Sequence, residues 1–301
     1  AGCGYFTDKI QEDLNMEYRI HKKTGDKISI LGLGTSYIAD TPEKDAVEAL
    51  IYAHENGINY ADLATAGART FGYYGTAFAS VRKEMFYQVH FGANYESGEY
   101  GWTTKLETIK RQIDWMLTEL KTDYIDYGFI HCLDAASDWH AYQKHGVLDY
   151  LLDMKQAGAV RHIGLSSHTP ALARHALDTG LIDQLMFSIN AAYDYQHGDY
   201  ANGSASERMA LYRRCEAEGV GISVMKPFSG GQLLDANTSP FGQALTEYQC
   251  IQYALDKPGV LTVLPGVRDR ADLERVLGFL RAGEAERDYS VISSLTPRDA
   301  E

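Results

Sequence analysis

The stretch Gly57-Ile-Asn-Tyr-Ala-Asp-Leu-Ala-Thr-Ala-Gly-Ala-Arg-Thr-Phe-Gly-Tyr-Tyr-Gly-Thr-Ala-Phe78 decides the fold. It reads as the end of a helix, a short buried strand, and a carboxylate, Asp62, where that strand runs out. Two further strand-like runs, Phe86-Tyr-Gln-Val-His90 and Ile125-Asp-Tyr-Gly-Phe-Ile-His131, also end in an ionisable residue. Side chains alternate along a strand, so Ile58, Tyr60 and Asp62 share one face, as do Phe86, Gln88 and His90, and Tyr127, Phe129 and His131. If the strands are neighbours, Asp62, His90 and His131 converge. A single Asp after a strand is an ordinary turn or capping residue. Repetition at three strand ends is what argues for chemistry.

Upstream, Tyr18-Arg-Ile and Ile28-Ser-Ile-Leu31 flank a turn as a hairpin in which Gly25 supplies the positive φ, and Leu31-Gly-Leu-Gly-Thr35 reads as the first core strand. Thr41-Pro42 reads as an N-cap and first helical residue, and Val47, Leu50, Ile51 and His54 as one face of that helix. Downstream, a helical stretch runs through Phe71 to the next strand. Thr104-x-x-Glu107 reads as a capping box before Ile109, Ile113, Leu117 and Leu120 at helical spacing. Helices are expected over 147–157, from Thr169-Pro170 to Gly180, up to Glu218, and over 241–255 and 269–280. Strands are expected over 160–165, 184–190, 220–225 and 260–264. Strict alternation of strand and helix argues a parallel sheet, and eight such units argue α/β architecture of the (β/α)8 TIM-barrel kind with a short N-terminal β-hairpin. No Gly-x-Gly-x-x-Gly follows a strand, which weighs against an open dinucleotide-binding sheet. The expected boundaries are an extension over 1–15, the barrel over 16–282 and a tail over 283–301.

The composition is that of a soluble globular protein, with 45% hydrophobic and 23% charged residues. A formal charge of −13 argues against nucleic acid or an anionic membrane as partner. No apolar run approaches the ~18 residues that cross a bilayer, and no signal-like N-terminus is present, so a cytoplasmic location is expected. The four cysteines, Cys3, Cys132, Cys215 and Cys250, lack metal or disulfide spacing and read as free thiols. Cys132 is expected on the strand face opposite His131.

Taken in order, Ile30-Leu-Gly-Leu-Gly-Thr35, Gly57-Ile-Asn-Tyr-Ala-Asp62, Asp123-Tyr-Ile-Asp-Tyr-Gly-Phe-Ile-His131, Arg161-His-Ile-Gly-Leu-Ser-Ser167, Val224-Met-Lys-Pro-Phe-Ser-Gly-Gly231 and Leu264-Pro-Gly-Val-Arg268 resemble strands of the aldo-keto reductase family, over nearly the whole chain. The resemblance implies an NAD(P)H-dependent barrel that reduces carbonyl compounds with an Asp, a Tyr, a Lys and a His. By motif position the Asp is Asp62 and the His is His131. The Tyr is expected five residues after the Asp, where this chain has Gly67, and the Lys where it has His90. Gly67 has no proton to give, so ordinary aldehydes are expected to be poor substrates.

Candidate cofactor residues are Thr35, Ser166, Ser167, Met225, Lys226, Phe228, Gly266, Val267, Arg268, Arg270 and Arg275. Ser166 and Ser167 follow a strand, where hydroxyls can meet a nicotinamide amide or cap the next helix. Met225 can pack on a ring or belong to the core, and Lys226 calls for an anion such as a pyrophosphate. Arg268 and Arg270 open a helix where a ribose 2′-phosphate would favour NADP over NAD, with solvated arginines as the alternative. Arg275-Val276 replaces the Glu-Asn that typically holds the adenine. The expected function is an NADP-dependent oxidoreductase (NAD possible) acting on a small carbonyl or alcohol. Here His131, supported by His90 and oriented by Asp62, supplies the proton, and Asp62 raises the pKa of a neighbouring imidazole. The alternatives are a metal-dependent hydrolase or lyase using Asp62, His90 and His131, and a nucleotide-binding barrel without catalysis.

Overall fold

The computed structural model describes residues 15–295; most of the expected extension, Cys3 and the end of the tail lie outside them. In chain order the elements are β1 (Tyr18–Ile20), β2 (Lys27–Ser29), α1 (Glu43–Glu55), β3 (Tyr60–Asp62), α2 (Arg69–Phe78), β4 (Phe86–Phe91), β5 (Ala93–Asn94), β6 (Gly101–Trp102), α3 (Leu106–Glu119), β7 (Ile125–Ile130), α4 (Ala136–Lys144) and α5 (Val147–Gln156). They continue with β8 (Val160–Ser167), α6 (Pro170–Leu177), β9 (Gln184–Ser188), α7 (Ala191–Asp194), α8 (Ala205–Glu218), β10 (Gly221–Met225), α9 (Glu247–Leu255), β11 (Val260–Val263), α10 (Arg270–Leu277), α11 (Glu284–Arg287) and α12 (Val291–Leu295).

Seven parallel strands run β3-β4-β7-β8-β9-β10-β11 around a barrel. The segment read as the first core strand fills the remaining position through single bridges, Leu31 to Val263, Leu33 to Ala61 and Gly34 to Gly266. The hairpin β1–β2 turns through Gly25 at φ 76° and closes the barrel floor, where the Tyr127 hydroxyl donates to Asp26 at 2.7 Å. Above it the interior is filled by Ile28, Tyr60, Tyr127, Phe129, Met186, Leu261 and Leu264. Gly164 is required there, because a Cβ would run into the Phe129 ring. A second, larger core lies between barrel and helices. Among the described residues no helix is long and apolar enough to cross a membrane.

Four local expectations are corrected. Pro42 is the N-cap of α1 rather than its first residue, because the Thr41 hydroxyl is turned to the Arg268 carbonyl at 2.8 Å. The buried stripe of α1 is Ala46, Ala49, Leu50 and Ala53, while Ile51 is 40% exposed; small residues let the helix lie close to its neighbours. Thr104 contacts His145 and forms no capping box, so α3 starts at Leu106. Finally, α9 starts at Glu247, behind a capping box of Thr246 and Gln249 that the sequence reading missed.

Candidate functional site

Strand stagger places the three candidate residues. Asp62 lies in register with Gln88, and His90 with Phe129, so each successive strand end, Asp62, His90, His131, stands two residues nearer the barrel mouth. Asp62 and His131 are buried, and His90 is fully enclosed. His90 Nε2 lies 2.7 Å from Asp62 Oδ1, and His90 Nδ1 lies 2.9 Å from His131 Nδ1. The three residues of the sequence reading therefore form a chain. They do not fan around a point, because His90 has both nitrogens engaged. Among the described residues the group that could surround a metal ion is a different one, Cys132, Asp134 and His168.

Gln88 lies beneath the chain. Its Oε1 accepts from the hydroxyls of Tyr60 at 2.6 Å and Ser223 at 2.8 Å, which turns its amide nitrogen toward Asp62 Oδ1 at 2.9 Å.

Asp62 faces His90 and makes no contact with His131. Burial, then the nearby His90 and His168, push the His131 pKa well below the ordinary imidazole value, and Asp134 only partly opposes them. The outer nitrogen of His131 meets a residue that strand alternation could not reveal. The Tyr100 hydroxyl lies 2.6 Å from His131 Nε2, with the two rings edge to face. Tyr100 arrives on the loop between β5 and β6, which docks on the segment around Gly67: Tyr100 N donates to Ala66 O at 3.1 Å and Ala68 N to Gly98 O at 3.0 Å. Trp102 Nε1 donates to the His131 carbonyl at 3.2 Å and fixes the other end of the loop. The signal the sequence carries for this is the run of aromatic residues in that stretch, Tyr95, Tyr100 and Trp102.

These groups open into a cavity of about 860 Å³ that Thr35, Asp62, Tyr100, His131, Ser166 and Lys226 help to line, with Met225, Phe228 and Gly266 also on its wall. Thr35 Oγ1 and His168 Nε2 are buried there without a hydrogen-bond partner. Lys226 has a left-handed φ of 54°, and its Nζ sits 4.6 Å from the centre of the Tyr200 ring. Burial lowers its pKa, while Cys132, Asp62 and Asp134 pull the other way. Ser166 Oγ accepts from Cys132 N at 2.7 Å.

The other cofactor candidates lie elsewhere. The Ser167 hydroxyl donates to the Leu133 carbonyl at 2.6 Å and accepts from Thr169 N at 3.0 Å, so it serves the turn and not the cavity. Val267 is 1% exposed and part of the outer core. Arg268 pairs with Asp272 at 3.0 Å, Arg270 with Glu274 at 2.9 Å, and Arg275 with Glu247 at 2.8 Å. Asp269 accepts from the Asp272 amide in the first turn of α10, and Asp272 from the Arg268 amide just before it, which leaves that helix start poorer in free donors than the sequence suggested.

Cys132 departs from the expected alternation: β7 ends at Ile130, and at φ 59° Cys132 turns its thiol to the same cavity as His131. Burial and then Asp134 push that thiol up to about 12, so it is a neutral thiol near pH 7 and a poor nucleophile. Burial works to raise Asp134, but hydrogen bonds from the His168 ring and amide outweigh it and hold the carboxylate at about 2.

The profile of the Aldo/keto reductase family matches residues 30–249. An uncharacterized oxidoreductase of Bacillus subtilis (strain 168), YqkF, is 24% identical over 306 residues, covering 90% of this chain and 94% of its own length. The holo form of aldo-keto reductase AKR11C1 from Bacillus halodurans superposes with a TM-score of 0.73 at 20% identity, covering 94% of this chain and 97% of that one. Its apo form gives 0.68 at 19% identity, with the same coverage of 94% and 97%.

Proposed function

The chain belongs to the Aldo/keto reductase family and is an NAD(P)-dependent oxidoreductase; from that premise we propose that it reduces a small carbonyl compound with NADPH at the cavity lined by His131 and Lys226. The observation that carries the reading is this shared cavity. A hydrogen-bonded chain that can carry a proton and a cation without an ion pair among the described residues open into the same space.

The residues fit the nicotinamide and pyrophosphate half of such a cofactor. Ser166 and the unsatisfied Thr35 and His168 offer polar contacts, and the half-buried Lys226 ammonium calls for an anion. The 2′-phosphate half is less prepared, so selectivity for NADP rests on the exposed guanidinium of Arg268 after it leaves Asp272. When bound, the cofactor supplies hydride to the carbonyl carbon. The protein's own contribution is to orient the carbonyl, exclude water and deliver a proton to the oxygen that becomes negative. Asp62 orients His90, and His90 orients His131, whose outer nitrogen faces the cavity. Gly67 leaves that segment without a hydroxyl.

The test is a fluorescence titration of the full chain with NADPH, NADH and the oxidised forms. Saturable binding with NADPH preferred supports the reading, and absence of binding to any of the four refutes it.

A further inference from the structure

We infer that Tyr100, carried on the β5–β6 loop, is the proton donor to the substrate oxygen and is recharged through His131, His90 and Asp62. The inference rests on the reductase reading above and adds the group that touches substrate.

Bond directions are set from the barrel interior outward. Two hydroxyls hold Gln88 Oε1, so Gln88 presents its amide N–H to Asp62. A carboxylate can only accept, so at 2.7 Å the His90 Nε2 carries the proton and donates to Asp62. With both rings neutral, His90 Nδ1 is then an acceptor, and His131 Nδ1–H donates to it at 2.9 Å. That leaves His131 Nε2 bare, and the Tyr100 hydroxyl donates to it at 2.6 Å. Every bond direction in the chain is fixed from below, and all point inward, from Tyr100 toward Asp62. Such a chain is the discharged state of a proton wire. Among the described residues His131 has no other hydrogen-bond partner at its outer nitrogen, so the phenol is the chain's terminus at the cavity.

Before reduction the wire takes up one proton from water in the open cavity, shared between His131, His90 and Asp62; burial of His131 makes this charged state the minor one near neutral pH. A bound reduced nicotinamide would supply hydride to the carbonyl carbon, forming the C–H bond as the C=O π pair moves to oxygen. The Tyr100 O–H bond breaks as the new alcohol O–H forms, and His131 Nε2–H passes a proton to the phenolic oxygen. The products are alcohol, oxidised nicotinamide and the discharged chain drawn above. Oxidation is the reverse: the alcohol gives its proton to Tyr100, which gives its own to His131. The expectation of poor aldehyde reduction drawn from Gly67 is thereby replaced by its opposite.

Tyr100→Phe removes one oxygen and keeps the ring against His131 and Tyr95. With NADPH and the probes 4-nitrobenzaldehyde and 9,10-phenanthrenequinone, kcat should fall about 10²-fold or more, while NADPH affinity by fluorescence stays within twofold. A kcat within threefold of the native chain overturns the inference and leaves the reductase reading intact. A fall in kcat matched by a fall in NADPH affinity makes Tyr100 a packing residue and also overturns it. Native protein that binds no nicotinamide or reduces neither probe sinks the reductase reading, and the inference with it. If Tyr100→Phe does not fold, 3,5-difluorotyrosine at position 100 replaces it. The groups facing the hydroxyl are His131, Cys132, Asp134, Tyr200, Asp62 and Tyr95. Only the phenol is altered, so the alkaline fall in reduction rate should move to lower pH, and an unmoved profile overturns the inference.

Discussion

Asp62→Asn removes a charge at the inner end of the chain while keeping its shape. Gln88 cannot turn, because two hydroxyls hold its oxygen. The new carboxamide must therefore present its own oxygen to both Gln88 Nε2 and His90 Nε2, as the carboxylate does now at 2.9 and 2.7 Å. Bonds and packing survive; the negative charge does not. A hydrogen bond to a charged group contributes about 1.5–3 kcal/mol against about 0.5–1.5 for a neutral pair. The difference of ~1–2 kcal/mol falls on the state in which the chain holds its extra proton. That corresponds to a fall of about 5- to 30-fold in kcat for NADPH-driven reduction, with little change in NADPH affinity, since Lys226 is unaltered. The assay is steady-state reduction of 4-nitrobenzaldehyde between pH 6 and 8, alongside fluorescence titration of NADPH. A kcat within twofold of the native chain would refute the reasoning, as would a loss carried wholly by cofactor affinity.

Lys226→Met should weaken NADPH binding about 10- to 100-fold, the loss of a charge-assisted bond to an anion; unchanged affinity in the titration would place the pyrophosphate elsewhere. Arg268→Ala should weaken NADPH by ~1–3 kcal/mol and NADH hardly at all, measured as the ratio of the two dissociation constants, and equal losses would show that Arg268 does not read the 2′-phosphate. Stability should fall on acidification. The folded pKa of His131 lies below its unfolded value of about 6.5, so between the two the unfolded chain binds a proton that the folded chain does not. This contribution is complete above about pH 6.5 and is lost as pH drops toward the folded value, by up to ~1.4 kcal/mol per unit; His21 and His162, lowered first by burial, act with the same sign. A urea midpoint that does not fall between pH 7 and 5.5 would contradict it.

Asp62, His90 and His131 could be read together because alternation is a property of the strand backbone itself, and barrel stagger converts it into proximity. Gln88 was visible on the same face, but its amide direction depends on hydroxyls from β3 and β10 and could not be read from one strand. Cys132 was misplaced because the strand ends at Ile130, one residue before the expected end at His131, and a left-handed φ at Cys132 then reverses the facing. Tyr100 was hidden for a different reason. Its position is set by backbone bonds between two loops far apart in sequence, at Ala66 and Ala68. Arg268 and Arg270 were read as phosphate ligands from their charge, and the sequence alone does not show the carboxylates of Asp272 and Glu274 folded against them.

The loop that delivers Tyr100 is attached to the barrel at both ends and touches the relay through a single phenol. The barrel can therefore tolerate a glycine at position 67 without surrendering a hydroxyl at the mouth, and a side chain could return there, since a Cβ on Gly67 meets nothing closer than Ala39 at 3.6 Å. A hydroxyl held by a loop and not by a strand can be moved or exchanged by substitution in that loop, while the strand ends that hold Asp62, His90 and His131 stay as they are.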